Sequence, residues 1–165
     1  NSKGINDPKK LLENLDEQIT LALNPNKKME IQDGMDIAVI RLLTTHLDYA
    51  GARRPVIVVR NKGVIELSPT SESIGGKAMR DKKEFTTAKI ELNEGDMIYL
   101  FTDGYGDQMG GTKNKKFKNQ RLRNTLKEIA SKSLNEQKEI LQMTFEEWKG
   151  GGEQTDDVTV IGIRI

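Results

Sequence analysis

Two acidic motifs, each at the end of an apolar run, hold the residues best suited to chemistry. Thr102-Asp103-Gly104 directly follows one such run, and Thr155-Asp156-Asp157 directly precedes another. Uninterrupted apolar runs are typical of strands that are buried on both faces. If the two strands pair antiparallel, Asp103 and Asp156 meet at one sheet edge, where the two carboxylates repel each other unless a proton or a cation lies between them. Oxygen ligands favour hard ions, so the pattern is typical of a Mg²⁺ or Mn²⁺ site.

The neighbours of the two aspartates allow more than one interpretation. Gly104 lets the backbone turn sharply and leaves room for an ion or a ligand. Asp157 is a second ligand, a partner that orients the first, or only a polar start to the strand. The simpler alternative is that Asp-Gly and Asp-Asp merely cap or turn the strands. Arg53 and Arg54 could bind a phosphate with paired hydrogen bonds, or they could be solvated at a hairpin tip.

The remaining sequence predicts an α+β fold of antiparallel sheets layered with helices. Asp7-Pro8 is a helix start, and apolar residues at helical spacing continue that helix to about Asn24-Pro25-Asn26. Ser133 and Glu136 form a capping box for a later helix. Alternation and turn signals predict strands over 35–43, 46–49, 56–60, 64–67, 85–92, 97–101 and 158–165, and helical spacing predicts helices near 119–131 and from 134 to about 149.

Composition limits the classes of function. The 165 residues suit one domain, and 26 Lys and Arg against 25 Asp and Glu give no case for nucleic-acid binding. The absence of cysteine excludes thiolate metal sites and agrees with a cytoplasmic setting. No run is long enough to span a bilayer. Basic residues cluster over 113–123, where they either cover a helix start or dock a substrate. Because the chain begins at Asn1 without Met, we expect it to be a piece of a longer protein.

Five segments form an ordered set of motifs: 33–38, 49–55 with Ala-Gly-x-x-x-Pro, 73–76 with Ser-Ile-Gly-Gly, 94–104 and 153–160. Together they resemble the bacterial SpoIIE/RsbU-like serine phosphatases, a branch of the metal-dependent PPM (type 2C) protein phosphatases. The resemblance implies a PPM-type αββα sandwich. It also implies a centre of two Mn²⁺ or Mg²⁺ ions, whose bridging water attacks a phosphoserine or phosphothreonine. The family's two C-terminal metal aspartates fall on Asp103 and Asp156, with Gly104 and Asp157 beside them.

The sequence departs from this family at its N-terminal side. The family's other metal aspartates sit in a Gly-Asp strand and an Asp-x-x-Gly-His-Gly turn, and neither occurs here. We therefore expect residues 1–165 to be one N-terminally truncated phosphatase domain with weak or no activity alone. The alternatives are a catalytically inactive binding or dimerisation module, and a metal-binding domain of unrelated chemistry.

The resemblance also implies partners. The substrate would be a phosphorylated protein, in this family typically an anti-sigma-factor antagonist. A sensor, or a membrane-anchored receptor module that leaves this part in the cytoplasm, would precede the domain in the same chain. A homodimer is a further option.

Overall fold

The computed structural model describes residues 6–23, 33–75 and 83–165. These residues form antiparallel sheets and four helices, which confirms the predicted α+β class. The chain divides into two compact units. The first unit comprises Asn1–Val56 and Leu67–Leu92, and the second comprises Ile57–Glu66 and Asn93–Ile165. No helix within the described ranges is long and apolar enough to cross a membrane.

The bounds of the elements follow chain order. The helices are α1 (Pro8–Leu23), α2 (Gly104–Asp107), α3 (Asn119–Ile129) and α4 (Leu134–Lys149). The strands are β1 (Gly34–Met35), β2 (Ile37–Leu42), β3 (His46–Ala52), β4 (Val56–Arg60), β5 (Gly63–Leu67), β6 (Ile74–Gly75), β7 (Thr87–Glu91), β8 (Met97–Phe101), β9 (Met109–Gly110), β10 (Lys115–Lys116) and β11 (Val160–Arg164).

The first unit packs α1 with an antiparallel sheet ordered β2-β3-β7. Asp7 opens α1 as predicted, because its carboxylate accepts a hydrogen bond from the Lys9 amide at 2.9 Å. Leu12, on the apolar stripe of α1, is fully buried in a core with Ala50 and Phe85. The predicted helix end at Asn24-Pro25-Asn26 and the last residue of the 73–76 motif lie outside the described residues.

The second unit is built on a sheet ordered β11-β8-β4-β5, with α3 and α4 contributing their apolar faces to the core. The Tyr99 hydroxyl donates to Gln137 Oε1 at 2.8 Å and ties β8 to α4. Burial raises the pKa of Tyr99 to about 12. The predicted capping box is present, since Ser133 and Glu136 exchange hydrogen bonds at the start of α4.

One prediction about the strands is wrong. β8 is almost entirely buried, as its apolar run predicts, but β11 is not buried on both faces. Ile161 in β11 is 50% exposed. The reason is its place in the sheet, because within the described residues β11 is an edge strand with one neighbour. An apolar run does not distinguish an edge strand from a central one.

The segment after β8 contains elements that the sequence did not predict. α2 is a single turn, and β9 pairs with β10 in a short hairpin. Gly110 and Gly111 lie against Trp148 of α4, where a Cβ at Gly110 would overlap the Trp148 carbonyl oxygen. Elements of two to four residues have no measurable periodicity, so hydrophobic patterning could not reveal them.

Candidate active site

Backbone hydrogen bonds join the two acidic motifs beyond the ends of their strands. β8 and β11 are antiparallel, and the Thr102 amide then donates to the Thr159 carbonyl oxygen at 3.1 Å. Asp103 follows Thr102 directly, and Asp156 lies three residues before Thr159. The predicted antiparallel pairing is therefore confirmed, and the backbones of the two aspartates approach the same edge of the sheet.

The Thr102 hydroxyl holds these chain segments together. It donates to the Asp157 carbonyl oxygen at 2.8 Å and accepts from the Thr159 amide at 2.9 Å. A single side chain thus satisfies backbone groups on both sides of Val158. Sequence reasoning missed this role, although a threonine between an apolar strand and Asp-Gly was the available signal.

Asp103 is half-buried at the start of α2. Its carbonyl oxygen accepts the Asp107 amide at 2.8 Å, but its side chain does not form an N-cap hydrogen bond with α2, both elements lying within the described residues. The Asp103 carboxylate therefore does not serve as the N-cap of α2.

Gly104 is required by close packing between the two motifs. A Cβ at this position would overlap the Asp157 carbonyl oxygen and would lie 2.9 Å from the carbonyl carbon and 3.2 Å from Val158 Cγ2. Only glycine lets the backbones approach this closely. The space at Gly104 is thus occupied by the backbone of Asp157, and its role beside an ion stays a prediction.

Asp156 and Asp157 lie in an exposed, locally hydrogen-bonded segment. Asp156 Oδ1 accepts from the Asp157 amide at 2.7 Å, and the Gln154 side-chain amide donates to the Asp156 carbonyl oxygen at 2.8 Å. A carboxylate has about four lone-pair sites, so the local bond leaves Asp156 with capacity for a cation. The three roles considered for Asp157 remain open.

We call residues 102–104 and 155–157, which meet at this edge of the sheet, the acidic edge. Its carboxylate oxygens are suitable ligands for Mg²⁺ or Mn²⁺, but they are too few to complete a coordination shell. The described residues contain no group of three or more His, Asp or Glu that could hold a metal ion. Mg²⁺ demands near-octahedral geometry, which water completes where protein ligands are few. The assignment of Asp103 and Asp156, in the second unit of the chain, as part of a ligand set therefore stays a prediction.

Arg53 and Arg54 belong to the first unit, at the end of β3 rather than at a free hairpin tip. Arg53 has φ = 57°, its amide donates to the Thr70 carbonyl at 2.9 Å, and its Nε donates to the Ser71 carbonyl at 2.9 Å. The Arg54 carbonyl accepts the Tyr49 hydroxyl at 2.6 Å. Both arginines are thus anchored through their backbones.

Asp36 holds the guanidinium of Arg54. The distance from Arg54 Nη2 to Asp36 Oδ2 is 3.6 Å, and both side chains are partly buried. The other Asp36 oxygen accepts the Ser73 hydroxyl at 2.5 Å. The sequence pattern could not reveal this contact, because Ser73 lies 37 positions away in the chain.

The comparisons with known proteins agree with this architecture. The family model described as Stage II sporulation protein E (SpoIIE) matches residues 2–165. Protein IcfG from Synechocystis sp. is 30% identical over 130 residues, which make up 76% of this chain and 19% of that protein. The chain therefore spans about a fifth of the length of this relative.

Solved structures give the same result for the fold. The SiaA-PP2C domain of Pseudomonas aeruginosa has a TM-score of 0.87 and 26% identity, over 99% of this chain and 63% of that one. The phosphatase domain of the cell fate determinant SpoIIE from Bacillus subtilis has a TM-score of 0.58 and 18% identity, over 98% of this chain and 75% of that one.

Proposed function

The chain belongs to the SpoIIE family, and we propose that it is part of a single metal-dependent phosphatase domain that hydrolyses phosphoserine or phosphothreonine on a partner protein. Its fold is that of PP2C-type serine/threonine phosphatase domains. The observation that carries the proposal is the pairing of β8 with β11, which brings the backbones of Asp103 and Asp156 to one sheet edge. Carboxylates brought together in this way are stabilised by a cation.

Each residue of the acidic edge has a proposed part. Asp103 and Asp156 would hold Mn²⁺ or Mg²⁺, with Asp157 beside them and Gly104 permitting the close approach. When bound, two such ions would lower the pKa of a water molecule and neutralise the charge of the phosphoryl oxygens. Thr102 would stabilise the conformation of the acidic edge, because its hydroxyl holds the Asp157 backbone beside β8.

Arg53 and Arg54 are the proposed phosphate contacts. The Nε of Arg53 donates to the Ser71 carbonyl, so a phosphate would be met by its two terminal nitrogens. The ion pair with Asp36 restrains the guanidinium of Arg54, which reduces the rotamer entropy lost when it binds an anion. Guanidinium groups suit this task because their parallel N–H groups match phosphate oxygens.

The chain alone would have weak or no activity, because Asp103 and Asp156 are few ligands for two ions. We propose that the remaining ligands belong to upstream parts of a longer protein. That protein would carry a sensor or receptor module, and its substrate would be a phosphorylated signalling protein such as an anti-sigma-factor antagonist.

The test is Mn²⁺-dependent phosphate release from a serine-phosphorylated protein. It compares this chain with a version extended upstream in its gene, each with and without Asp103→Asn. The matched control is Glu139→Gln, the same carboxylate-to-amide change at an exposed position of α4. We expect release from the extended protein that is lost in Asp103→Asn and kept in Glu139→Gln. Equal release from Asp103→Asn and its parent would refute the assignment.

A catalytically inactive binding module is the second candidate. It is favoured by one observation, the lack of a three-ligand cluster in the described residues. It predicts a folded extended protein that releases no phosphate with Mn²⁺ or Mg²⁺. Sequencing the parent gene upstream of this chain would distinguish the two candidates, because an active enzyme needs further carboxylates there.

A further inference from the structure

A cationic hairpin follows directly after the acidic edge. We call residues 109–118 the lysine hairpin, which consists of β9, a turn, β10 and the two residues after it. Between Asp107 and Glu128 the chain has seven Lys and Arg residues and no acidic residue. The phosphatase function proposed above does not use this charge.

The hairpin is held in an ordered frame. The Gly111 amide donates to the Trp148 carbonyl at 2.8 Å, and the Phe117 amide donates to the Gln108 carbonyl at 2.9 Å. The Trp148 indole N–H donates to the same Gln108 carbonyl at 3.0 Å, and the buried Phe117 ring packs edge-on against Trp148. A binding surface on an ordered frame loses little conformational entropy when a partner docks.

Most of its lysine charge is exposed and without a counter-ion. Lys116 pairs with Asp107 at 3.0 Å, with both side chains about half exposed. Lys113, Lys115 and Lys118 are exposed, and no ion pair is found for them among the described residues. Like charges held this close together repel one another, and an anionic partner removes that repulsion.

The hairpin lies within peptide reach of the acidic edge. β9 begins six positions after Asp103 (109 − 103). The turn of α2 advances the chain by about 6 Å, two extended residues add about 7 Å, and the cross-strand step to Lys116 adds about 5 Å. Lys116 is therefore no more than about 18 Å from Asp103, a span that about six extended residues cover.

The surface suits an acidic polypeptide better than a membrane or a nucleic acid. Met109, 37% exposed, is the one exposed large apolar side chain of residues 109–118, which leaves too little apolar surface to enter a bilayer. The one aromatic ring of the hairpin, Phe117, is buried and cannot stack on a base. Resting on the proposed phosphatase function, we propose that the lysine hairpin docks an acidic segment of the phosphoprotein substrate, within about six residues of the phosphoserine.

The test measures binding separately from catalysis. Two fluorescent phosphoserine peptides are compared by anisotropy without metal, one with four Glu residues within six positions of the phosphoserine and one with Gln in their place. We expect the triple variant Lys113→Gln, Lys115→Gln, Lys118→Gln to bind the Glu peptide about 5- to 30-fold more weakly than the parent, from the usual worth of exposed charge pairs. Its affinity for the Gln peptide should not change.

Two further variants control this result. Lys127→Gln, Lys132→Gln, Lys138→Gln makes the same charge change at exposed positions of the second unit and should retain affinity for the Glu peptide. The triple variant Lys113→Arg, Lys115→Arg, Lys118→Arg should also retain this affinity. If the glutamine variant does not fold, the parent's preference for the Glu peptide must still disappear at high salt.

The outcomes separate the two proposals. Glu-peptide binding that depends on the hairpin lysines supports docking even if no phosphate is ever released. Equal binding of both peptides by the parent, or equal losses in the hairpin and control variants, overturns docking even for an active phosphatase. Tighter binding of single-stranded DNA or of anionic lipid vesicles through the same lysines also overturns it.

Discussion

Replacing Gly104 with alanine should push the two acidic motifs apart. The added Cβ would lie 2.9 Å from the Asp157 carbonyl carbon, whereas ordinary contacts begin at 3.4 Å. The Asp157 backbone must therefore retreat by at least 0.5 Å (3.4 − 2.9). That movement stretches the hydrogen bond from Thr102 to the Asp157 carbonyl, which measures 2.8 Å.

The expected loss of stability is that of an overpacked core. Inserting a methyl group into a well-packed site costs about 1–3 kcal/mol, and backbone neighbours yield less easily than side chains. Gly151→Ala is the matched control, because a Cβ there meets no described atom within 4 Å and its φ lies outside the left-handed region. A compatible Gly→Ala change adds up to about 1 kcal/mol by restricting the unfolded chain.

Urea unfolding followed by the fluorescence of Trp148, the single tryptophan, measures both free energies of unfolding. We expect Gly104→Ala to unfold at lower urea with an unchanged slope, and Gly151→Ala to unfold at the same or higher urea. The reasoning is refuted if Gly104→Ala stays within about 0.5 kcal/mol of the parent, or if both variants lose the same stability.

The remaining predictions concern buried polar groups. Asp96 is 1% exposed and accepts hydrogen bonds from Nε and Nη2 of Arg60. Asp96→Asn should therefore lower the free energy of unfolding by about 1.5–3 kcal/mol at neutral pH in a urea titration. The hydrogen bond from Arg60 lowers the pKa of Asp96. The difference in stability between parent and variant should therefore be complete above the ordinary carboxyl pKa of about 4 and should shrink as the pH falls below that value. A constant difference down to about pH 2 would contradict this prediction. Burial raises the pKa of Tyr99 to about 12 and shifts that of Tyr105 in the same direction. Stability should therefore fall as the pH rises above about 10, where unfolded tyrosines ionise first; Tyr99→Phe should reduce that fall, which urea titrations at two alkaline pH values can measure.

Long, periodic elements were predictable from the sequence, and short or non-local ones were not. The apolar run of β8 and the Ser133 capping box of α4 identified both elements at their observed starts. Their signals are local, because side-chain periodicity and caps act within a few residues. α2 and the strands of the lysine hairpin are too short for such a signal, and glycine packing against Trp148 positions the hairpin.

The features of the candidate site also divide into those that the sequence predicted and those that it could not. Two apolar runs with acidic ends place Asp103 and Asp156 at one edge only if the strands pair antiparallel, and β8 and β11 meet that condition. The exposure of β11 could not be predicted, because an apolar run does not indicate whether a strand has neighbours on both sides. The contact of Asp36 with Arg54 and Ser73 joins distant positions and needs the folded chain.

In the part of the chain that the structure describes, β11 has one side without a partner strand, and this affects how the chain behaves in solution. An edge strand presents unpaired backbone N–H and C=O groups, and charged side chains normally discourage another chain from pairing there. β11 instead offers the half-exposed Ile161, and its one cation, Arg164, is turned to the Ala130 carbonyl at 3.1 Å. Purified alone, the chain should associate edge to edge as its concentration rises. A dimer that Ile161→Lys abolishes would thus be explained by pairing of β11 with a second copy of itself. Only a dimer that persists in Ile161→Lys would support a physiological dimer.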